Sequence, residues 1–177
     1  MKFLLTAINT KYIHSNLAVY SLKAYHDSKG GMADVEIAEF TINQYVDDYI
    51  REIYKRKPDV IAFSCYLWNI EYVYECACEL KKIMPDTDIW LGGPEVTYDS
   101  VSVLKKHPYI KGVMIGEGEE TFTQLSNVYF NGYSCKNEYF DINFINDKLR
   151  TVNGISINID GDYITTPPRG LLNMDDI

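Results

Sequence analysis

Positive charge is scarce in this chain: 17 Lys+Arg stand against 25 Asp+Glu in 177 residues, a formal net charge of −8. A sequence-independent nucleic-acid binder needs a basic face to displace counterions from phosphates, so nucleic acid is excluded as a partner on charge. The same balance argues against attraction to an anionic membrane surface. Long apolar runs are missing as well. The run at residues 3–8 is too short for a membrane span, and no small-residue cleavage site follows it. It is expected to be a buried strand of a cytoplasmic protein. Cysteine is sparse and unpatterned: Cys65, Cys76, Cys78 and Cys135 form no C-x-x-C and no zinc-type spacing. Cys76 and Cys78 fall in a helical pattern, where two positions mean ~200° of rotation, so together they cannot grip one metal. All four are expected to be reduced thiols, with no metal ligand among them. Trp and Phe number only 2 and 7, whereas Tyr numbers 15. Tyrosine joins apolar area to a polar tip, so the surplus suggests wet clefts or partner surfaces besides core.

Catalytic signatures are also absent. There is no G-x-x-x-x-G-K-[ST], no G-x-S-x-G elbow and no H-E-x-x-H. The acidic pair expected after the first strand of a response-regulator receiver is missing too. Of the histidines, His26 and His107 have bland settings near a helix end and before Pro108. No nucleophile–base pair stands out, so the chain is expected to carry no catalytic residues of its own.

What is present is alternation. Residues 3–8 read as a strand, and Ser15 can cap a helix carrying Leu17, Val19, Tyr20, Leu22 and Ala24. Residues 35–40 form a half-polar strand suited to an edge. Asn43 can cap a helix with Val46, Tyr49, Ile50 and Ile53 at helical spacing. Residues 60–65 are the most buried-looking strand, followed by a helix with Ile70, Val73, Ala77, Leu80 and Ile83, stopped by Pro85. Strands at 88–91 and 112–115 follow, with helices marked by Val101 and Leu104, then by Phe122, Leu125, Val128 and Tyr129. Tyr20, Tyr49 and Tyr129 fall on helix stripes and read as packing.

Five strand–helix repeats predict an α/β, flavodoxin-like (Rossmann-like) fold: a five-stranded parallel sheet in the order 2-1-3-4-5, with helices on both faces. Residues 131–148 look polar and irregular. Ile155, Ile157 and Ile159 then alternate into Asp160-Gly161, a two-residue turn that predicts a C-terminal β-hairpin extension returning through Tyr163 and Thr165. The closing residues 171–177 read as a linker before another domain.

In such sheets ligands sit at the carboxyl ends of the strands, which points to loops 9–14, 64–69, 92–96 and 116–120. Gly92-Gly93 lets a ligand lie against the main chain, although a tight turn needs the same residues. Ser64-Cys65-Tyr66-Leu67-Trp68 places small side chains first and an aromatic wall next; covering the sheet end is the plainer alternative. Gly116-Glu117-Gly118-Glu119 lacks the third glycine of a dinucleotide fingerprint, and its carboxylates oppose a phosphate. They suit a neutral ligand rich in amide N–H donors, while Glu119 and Glu120 also favour a helix N-terminus.

The loops resemble those of a known family. Tyr12-Ile13-His14-Ser15-Asn16-Leu17-Ala18, Pro58-Asp59-Val60-Ile61-Ala62-Phe63-Ser64, Leu91-Gly92-Gly93-Pro94-Glu95 and Gly116-Glu117-Gly118-Glu119-Glu120-Thr121, in this order, are similar to the N-terminal cobalamin-binding domain of cobalamin-dependent radical SAM proteins of the methyltransferase type. The resemblance covers residues 1–130. It implies that residues 131–177 connect, through the hairpin, to a radical SAM domain of the same chain carrying a 4Fe-4S cluster and S-adenosylmethionine. No C-x-x-x-C-x-x-C for such a cluster is present here. The resemblance further implies a corrin over the strand ends, its dimethylbenzimidazole tail running beside the sheet. Ser64 would lie near the tail base, with Gly92 and Gly93 letting the tail pass. Tyr66, Leu67, Pro94 and Glu95 would border the corrin, with Glu117 and Gly118 toward its amide arms. Tyr12, His14, Ser15, Asn16, Cys65, Gly116 and Glu119 complete the implied cofactor-binding set. Against the D-x-H-x-x-G pattern of other cobalamin proteins, Tyr12 replaces the Asp that orients the histidine and Leu17 replaces the Gly. Binding with the base off cobalt and no protein ligand is therefore expected. The competing reading is a flavodoxin-like interaction or small-nucleotide module without cobalamin. A third is a domain that shields a partner with its tyrosines.

Overall fold

The computed structural model describes residues 1–134 and 139–171; Cys135 and the closing residues 172–177 lie outside the described residues. Strands β1 (Lys2–Asn9), β2 (Asp34–Thr41), β3 (Val60–Ser64), β4 (Asp88–Gly92) and β5 (Gly112–Met114) alternate with helices α1 (Leu17–Ser28), α2 (Val46–Arg56), α3 (Ile70–Ile83), α4 (Pro94–Thr97), α5 (Ser100–Lys106) and α6 (Glu119–Gly132). After a two-stranded ribbon, β6 (Tyr133–Ser134) and β7 (Tyr139–Phe140), come α7 (Ile142–Leu149), β8 (Ile155–Ile159) and β9 (Asp162–Thr165). The main sheet runs β2-β1-β3-β4-β5-β8-β9. Its first five strands are parallel in the expected order 2-1-3-4-5.

The hairpin extends that sheet. β8 pairs antiparallel with β5, and β9 with β8. Asp160 and Gly161 take φ of 53° and 92°, the double left-handed conformation that a two-residue hairpin turn demands. Alternation then points Ile155, Ile157 and Ile159 into one core, while Ser156 reaches Ser100 Oγ at 2.9 Å on the other face.

Two cores sandwich the sheet. One joins Leu4, Ile8, Ile61 and Phe63 to α2, α3 and α5. The other joins Phe3, Leu5, Ala7 and Ala62 to α1, α6 and α7. Trp90 lies wholly in the second, its Nε1 donating to Tyr129 Oη at 2.9 Å, and the Tyr129 hydroxyl donates to Asp88 Oδ2 at 2.6 Å. Cys76 is buried and Cys78 half-exposed, as their angular separation requires.

Several local expectations need correction. The N-cap of α1 is Asn16, whose side chain accepts from Ala18 N, and not the exposed Ser15. α2 starts after Tyr45 with no side-chain cap, because Asn43 lies two residues too early. Tyr20 is not packing: it is exposed, and its hydroxyl donates to Glu39 Oε2 at 2.6 Å. Residues 142–149 are helix α7, capped by Asp141 and buried through Ile145 and Leu149. Four of its eight residues are apolar, but the asparagines and charges between them masked the helical spacing. Among the described residues, no helix is long and apolar enough to cross a membrane.

Candidate functional site

Parallel register sets one row of residues across the carboxyl end of the sheet: Glu39, Ala7, Ser64, Gly92 and Met114 are successive partners on β2, β1, β3, β4 and β5. Paired residues share a face, so the row floors the space between α1 and the start of α6. There the sheet is left partly uncovered. A groove of about 110 Å³ is lined by Leu5, Ala18, Val19, Leu22, Ala62 and Met114, together with Ser64, Tyr66, Gly92, Gly93, Gly116, Gly118 and Glu119. Its two helical walls are clasped by Ser21 Oγ donating to Glu119 Oε1 at 2.7 Å.

Backbone geometry explains the glycines. Gly93 has φ of 112°, and a methyl there would lie 2.5 Å from the Cys65 carbonyl oxygen. Only glycine lets the β4 end turn away this close to β3. A methyl on Gly92 would instead meet Met114 Cε at 3.4 Å, an ordinary contact inside the groove. Gly116 takes φ of 77° with open space around it.

The polar residues are ordered by two asparagines. Asn69 is fully buried; its Nδ2 donates to the carbonyls of Ile8 at 3.0 Å and Ser64 at 2.9 Å, and its Oδ1 accepts from Tyr66 N at 2.8 Å. Asn16 donates from Nδ2 to Ser64 Oγ at 3.1 Å, and its backbone N–H donates to Glu39 Oε1 at 2.9 Å. Glu39 also accepts from Asn9 Nδ2 at 2.9 Å. Burial pushes the Glu39 carboxyl up, but hydrogen bonds from Tyr20, Asn16 and Asn9 outweigh it and hold the group below the usual carboxylate range.

Beside the groove, sharing Ala18 and Tyr66 with it, lies an open depression of about 410 Å³ whose lining includes His14, Ser15, Asn16 and Trp68. His14 Nδ1 sits 3.2 Å from Thr10 Oγ1. The Tyr66 and Trp68 rings stack with centroids 4.6 Å apart. Of the sixteen sequence-predicted site residues, ten therefore gather at these two concavities. Tyr12, Leu67, Pro94, Glu95 and Glu117 stand exposed on the surrounding rim. Cys65 is not brought to either: it is buried in the opposite core, where burial pushes its thiol up to about 12.

Glu39, Asn9 and Asn69 were missed by sequence reasoning. Asn9 and Asn69 do lie in the loops that the strand-end rule marks, but Glu39 lies within an edge strand. Nothing local distinguishes it from a solvated residue. Among the described residues, no three His, Cys, Asp or Glu side chains gather as a metal site would need.

The groove suits a neutral, mostly apolar group. Most of its lining is apolar, Ser64 and Tyr66 bring hydroxyls, and Glu119 brings a carboxylate that can accept from amide N–H groups. Comparison with known proteins agrees. Over 69 residues the chain is 38% identical to the cobalamin-dependent radical SAM methyltransferase TokK of Streptomyces tokunonensis, covering 39% of this chain and 10% of that protein. Over 143 residues it is 30% identical to the anaerobic magnesium-protoporphyrin IX monomethyl ester cyclase of Rubrivivax gelatinosus, covering 78% of this chain and 23% of that one. The chain thus spans between a tenth and a quarter of the length of these relatives. In fold, 96% of the chain matches OxsB, a cobalamin-dependent S-adenosylmethionine radical enzyme with aqua-cobalamin and S-adenosylmethionine bound, at a TM-score of 0.72, 18% identity and 22% of that chain. It matches the radical S-adenosylmethionine methyltransferase TsrM of Kitasatospora setae at 0.71 and 15% identity, again over 96% of this chain and 30% of that one. A sequence model of the B12 binding domain matches residues 4–126, the same five-stranded unit that builds the groove, and the chain belongs to that family.

Proposed function

We propose that the chain is the cobalamin-binding module of a cytoplasmic radical SAM enzyme, supporting methyl transfer from methylcobalamin to a substrate activated elsewhere in the protein. Residues 1–130 form the cofactor module in this reading. Residues 131–177 lead on to a radical SAM domain holding S-adenosylmethionine and a 4Fe-4S cluster. The observation that carries the reading is the groove, a mostly apolar slot beside the strand ends with Ser64 in its lining. When bound, the cobalamin supplies a methyl group that can leave cobalt for an activated acceptor.

The chain's own work is to bind and orient. Ser64 meets the tail base, and Gly92 and Gly93 admit the tail against the backbone. Tyr66, Leu67, Pro94, Glu95, Tyr12, His14 and Ser15 form the rim under the corrin, with Asn16 in the adjoining depression and Cys65 behind β3. Gly116, Glu117, Gly118 and Glu119 face the carboxamide arms. These residues would hold the cofactor at the carboxyl end of the sheet.

The test is retention of hydroxocobalamin by the 177-residue chain, read from the corrin absorption bands on gel filtration. Ala18→Trp fills the groove from an exposed helical position, so cobalamin should be lost while the melting temperature holds. Failure of the wild type to retain the corrin would favour the rival, a flavodoxin-like interaction or small-nucleotide-binding module without cobalamin.

A further inference from the structure

The hairpin returns the chain to the ligand end of the sheet. β8 runs antiparallel to β5 and β9 antiparallel to β8, so β9 ends at the same edge as the groove. Thr166 N extends the pairing by donating to the Ile155 carbonyl at 2.9 Å, and Gly154 N donates to the Pro167 carbonyl at 2.9 Å. Pro167 and Pro168 then fix φ at two successive positions, which stiffens the segment that presents Arg169.

The Arg169 side chain is only 10% exposed, although Pro168, Gly170 and Leu171 beside it all stand in solvent. Its Nη1 pairs with Glu120 Oε1 at 2.6 Å. Nε donates to Thr121 Oγ1 at 2.9 Å, and Nη2 donates to Gln124 Oε1 at 2.8 Å and to the Asn153 carbonyl at 3.3 Å. Glu120, Thr121 and Gln124 all belong to the start of α6. The planar fork reaches these acceptors together, which the single point charge of a lysine could not do. Gly154, at φ of 78°, allows the close approach: a methyl there would lie 3.1 Å from Thr121 Oγ1 and 3.5 Å from Arg169 Cβ.

The same turn of α6 walls the groove. Gly118 and Glu119 line it, and Ser21 Oγ clasps Glu119 from α1 at 2.7 Å. One helical turn therefore meets the ligand space on one side and Arg169 on the other. Arg169 and Ser21 do not themselves line the groove, so their effect on a ligand must pass through that turn. Whichever neighbour orders the turn first leaves less ordering for the other to do.

We propose that Arg169 is a positioning residue that couples the occupied groove to the segment leaving the domain, through the helical turn that both of them hold. This rests on the cobalamin reading and deepens it. Bound cobalamin fixes the start of the chain that leads toward the radical SAM domain in that reading. The linkage is reciprocal, so the docked segment tightens cobalamin by the same factor.

The experiment places a nitroxide on Gly170→Cys, a position with open space around it, in the 177-residue chain carrying Cys78→Ser and Cys135→Ser. Hydroxocobalamin is diamagnetic, so the nitroxide line shape reports motion of the segment. Adding hydroxocobalamin should broaden the line as the segment is held. Arg169→Ala should leave the label mobile with and without the corrinoid, and weaken hydroxocobalamin about fivefold in a corrin titration. Arg169→Lys should fall between, and it carries the test if Arg169→Ala does not fold. Ser21→Ala should weaken hydroxocobalamin less in the Arg169→Ala background than in wild type, because both act through one turn. A purely structural role would lower the melting temperature while leaving Kd and the line-shape response unchanged. If the corrinoid leaves the line shape unaltered, alters it equally in Arg169→Ala, or binds that variant as tightly, the proposal is overturned while the cobalamin reading stands. If the wild type retains no cobalamin, both fall.

Discussion

Helices α2 and α1 cross opposite faces of one sheet, next to the same strands, and only α2 closes against it. At its first turn α2 carries Tyr49, fully buried, whose ring meets Phe40 at 5.1 Å and whose hydroxyl donates to the Thr41 and Gln44 carbonyls at 2.8 and 3.1 Å. A large aromatic thus plugs the sheet end on that face. At the matching place α1 carries Ala18, Val19 and Leu22, and Leu17 is 79% exposed. Small side chains leave the sheet end open, and the apolar area that α1 fails to cover is the groove. One face is built to be stable alone, the other to be completed by a ligand.

The strongest test of that contrast is a pair of truncations. Tyr49→Ala should cost about 3–5 kcal/mol, because it empties a packed site. Leu22→Ala should cost under about 1 kcal/mol, because its side chain already borders open space. Urea unfolding of the two variants measures both, and similar losses would break the comparison.

The second test adds the missing occupant. A ligand bound only by the folded state stabilises by about 2.7 kcal/mol at a hundredfold excess over Kd. Hydroxocobalamin should therefore raise the melting temperature. In hydrogen exchange, amides of α1 and of the first turn of α6 should slow more than those of α2. Uniform slowing would mean that the two faces do not differ in the way proposed.

The adjacent glycines divide along the same line. Gly93→Ala should cost about 1–3 kcal/mol through its left-handed φ and the clash with the Cys65 carbonyl, whether or not ligand is present. Gly92→Ala should change stability by no more than about 0.5 kcal/mol, yet weaken cobalamin by narrowing the groove beside Met114. Denaturation and binding curves on both variants separate the two roles.

The smallest effect is a pH dependence confined to the open face. Because Glu39 is held below the usual carboxylate range when folded, its contribution is full above the unfolded pKa. It fades as pH falls through the lowered folded value. Glu39→Gln should flatten this part of the acid-side stability profile, and an unchanged slope would mean that the loop does not depend on the charge.

Much of this was legible before any coordinates. The five strand–helix repeats, the 2-1-3-4-5 order, the hairpin turn at Asp160-Gly161 and the four strand-end loops follow from apolar periodicity and turn chemistry, which act over a few residues. What was misread depends on distance. Ser15 and Asn16 are both good caps on paper, and Asn16 wins because Glu39 and Ser64, far off in the chain, bond to it. Tyr20 sits at a plausible core position of α1, but the helix stands off the sheet there and turns the ring outward to Glu39. α7 was hidden because its apolar residues are interrupted by asparagines and charges, and the burial of Ile145 and Leu149 comes from packing beside α6.

The sequence by itself determined the kind of fold, the end of the sheet that would carry the site, and the glycines that open it, since each depends on local backbone preference. Tertiary structure alone decided that Glu39, Ala7, Ser64, Gly92 and Met114 stand in one row, and that Asn16 donates to the Ser64 hydroxyl. Strand register and long-range hydrogen bonds assemble those residues from five separate segments, and no window along the chain contains that information.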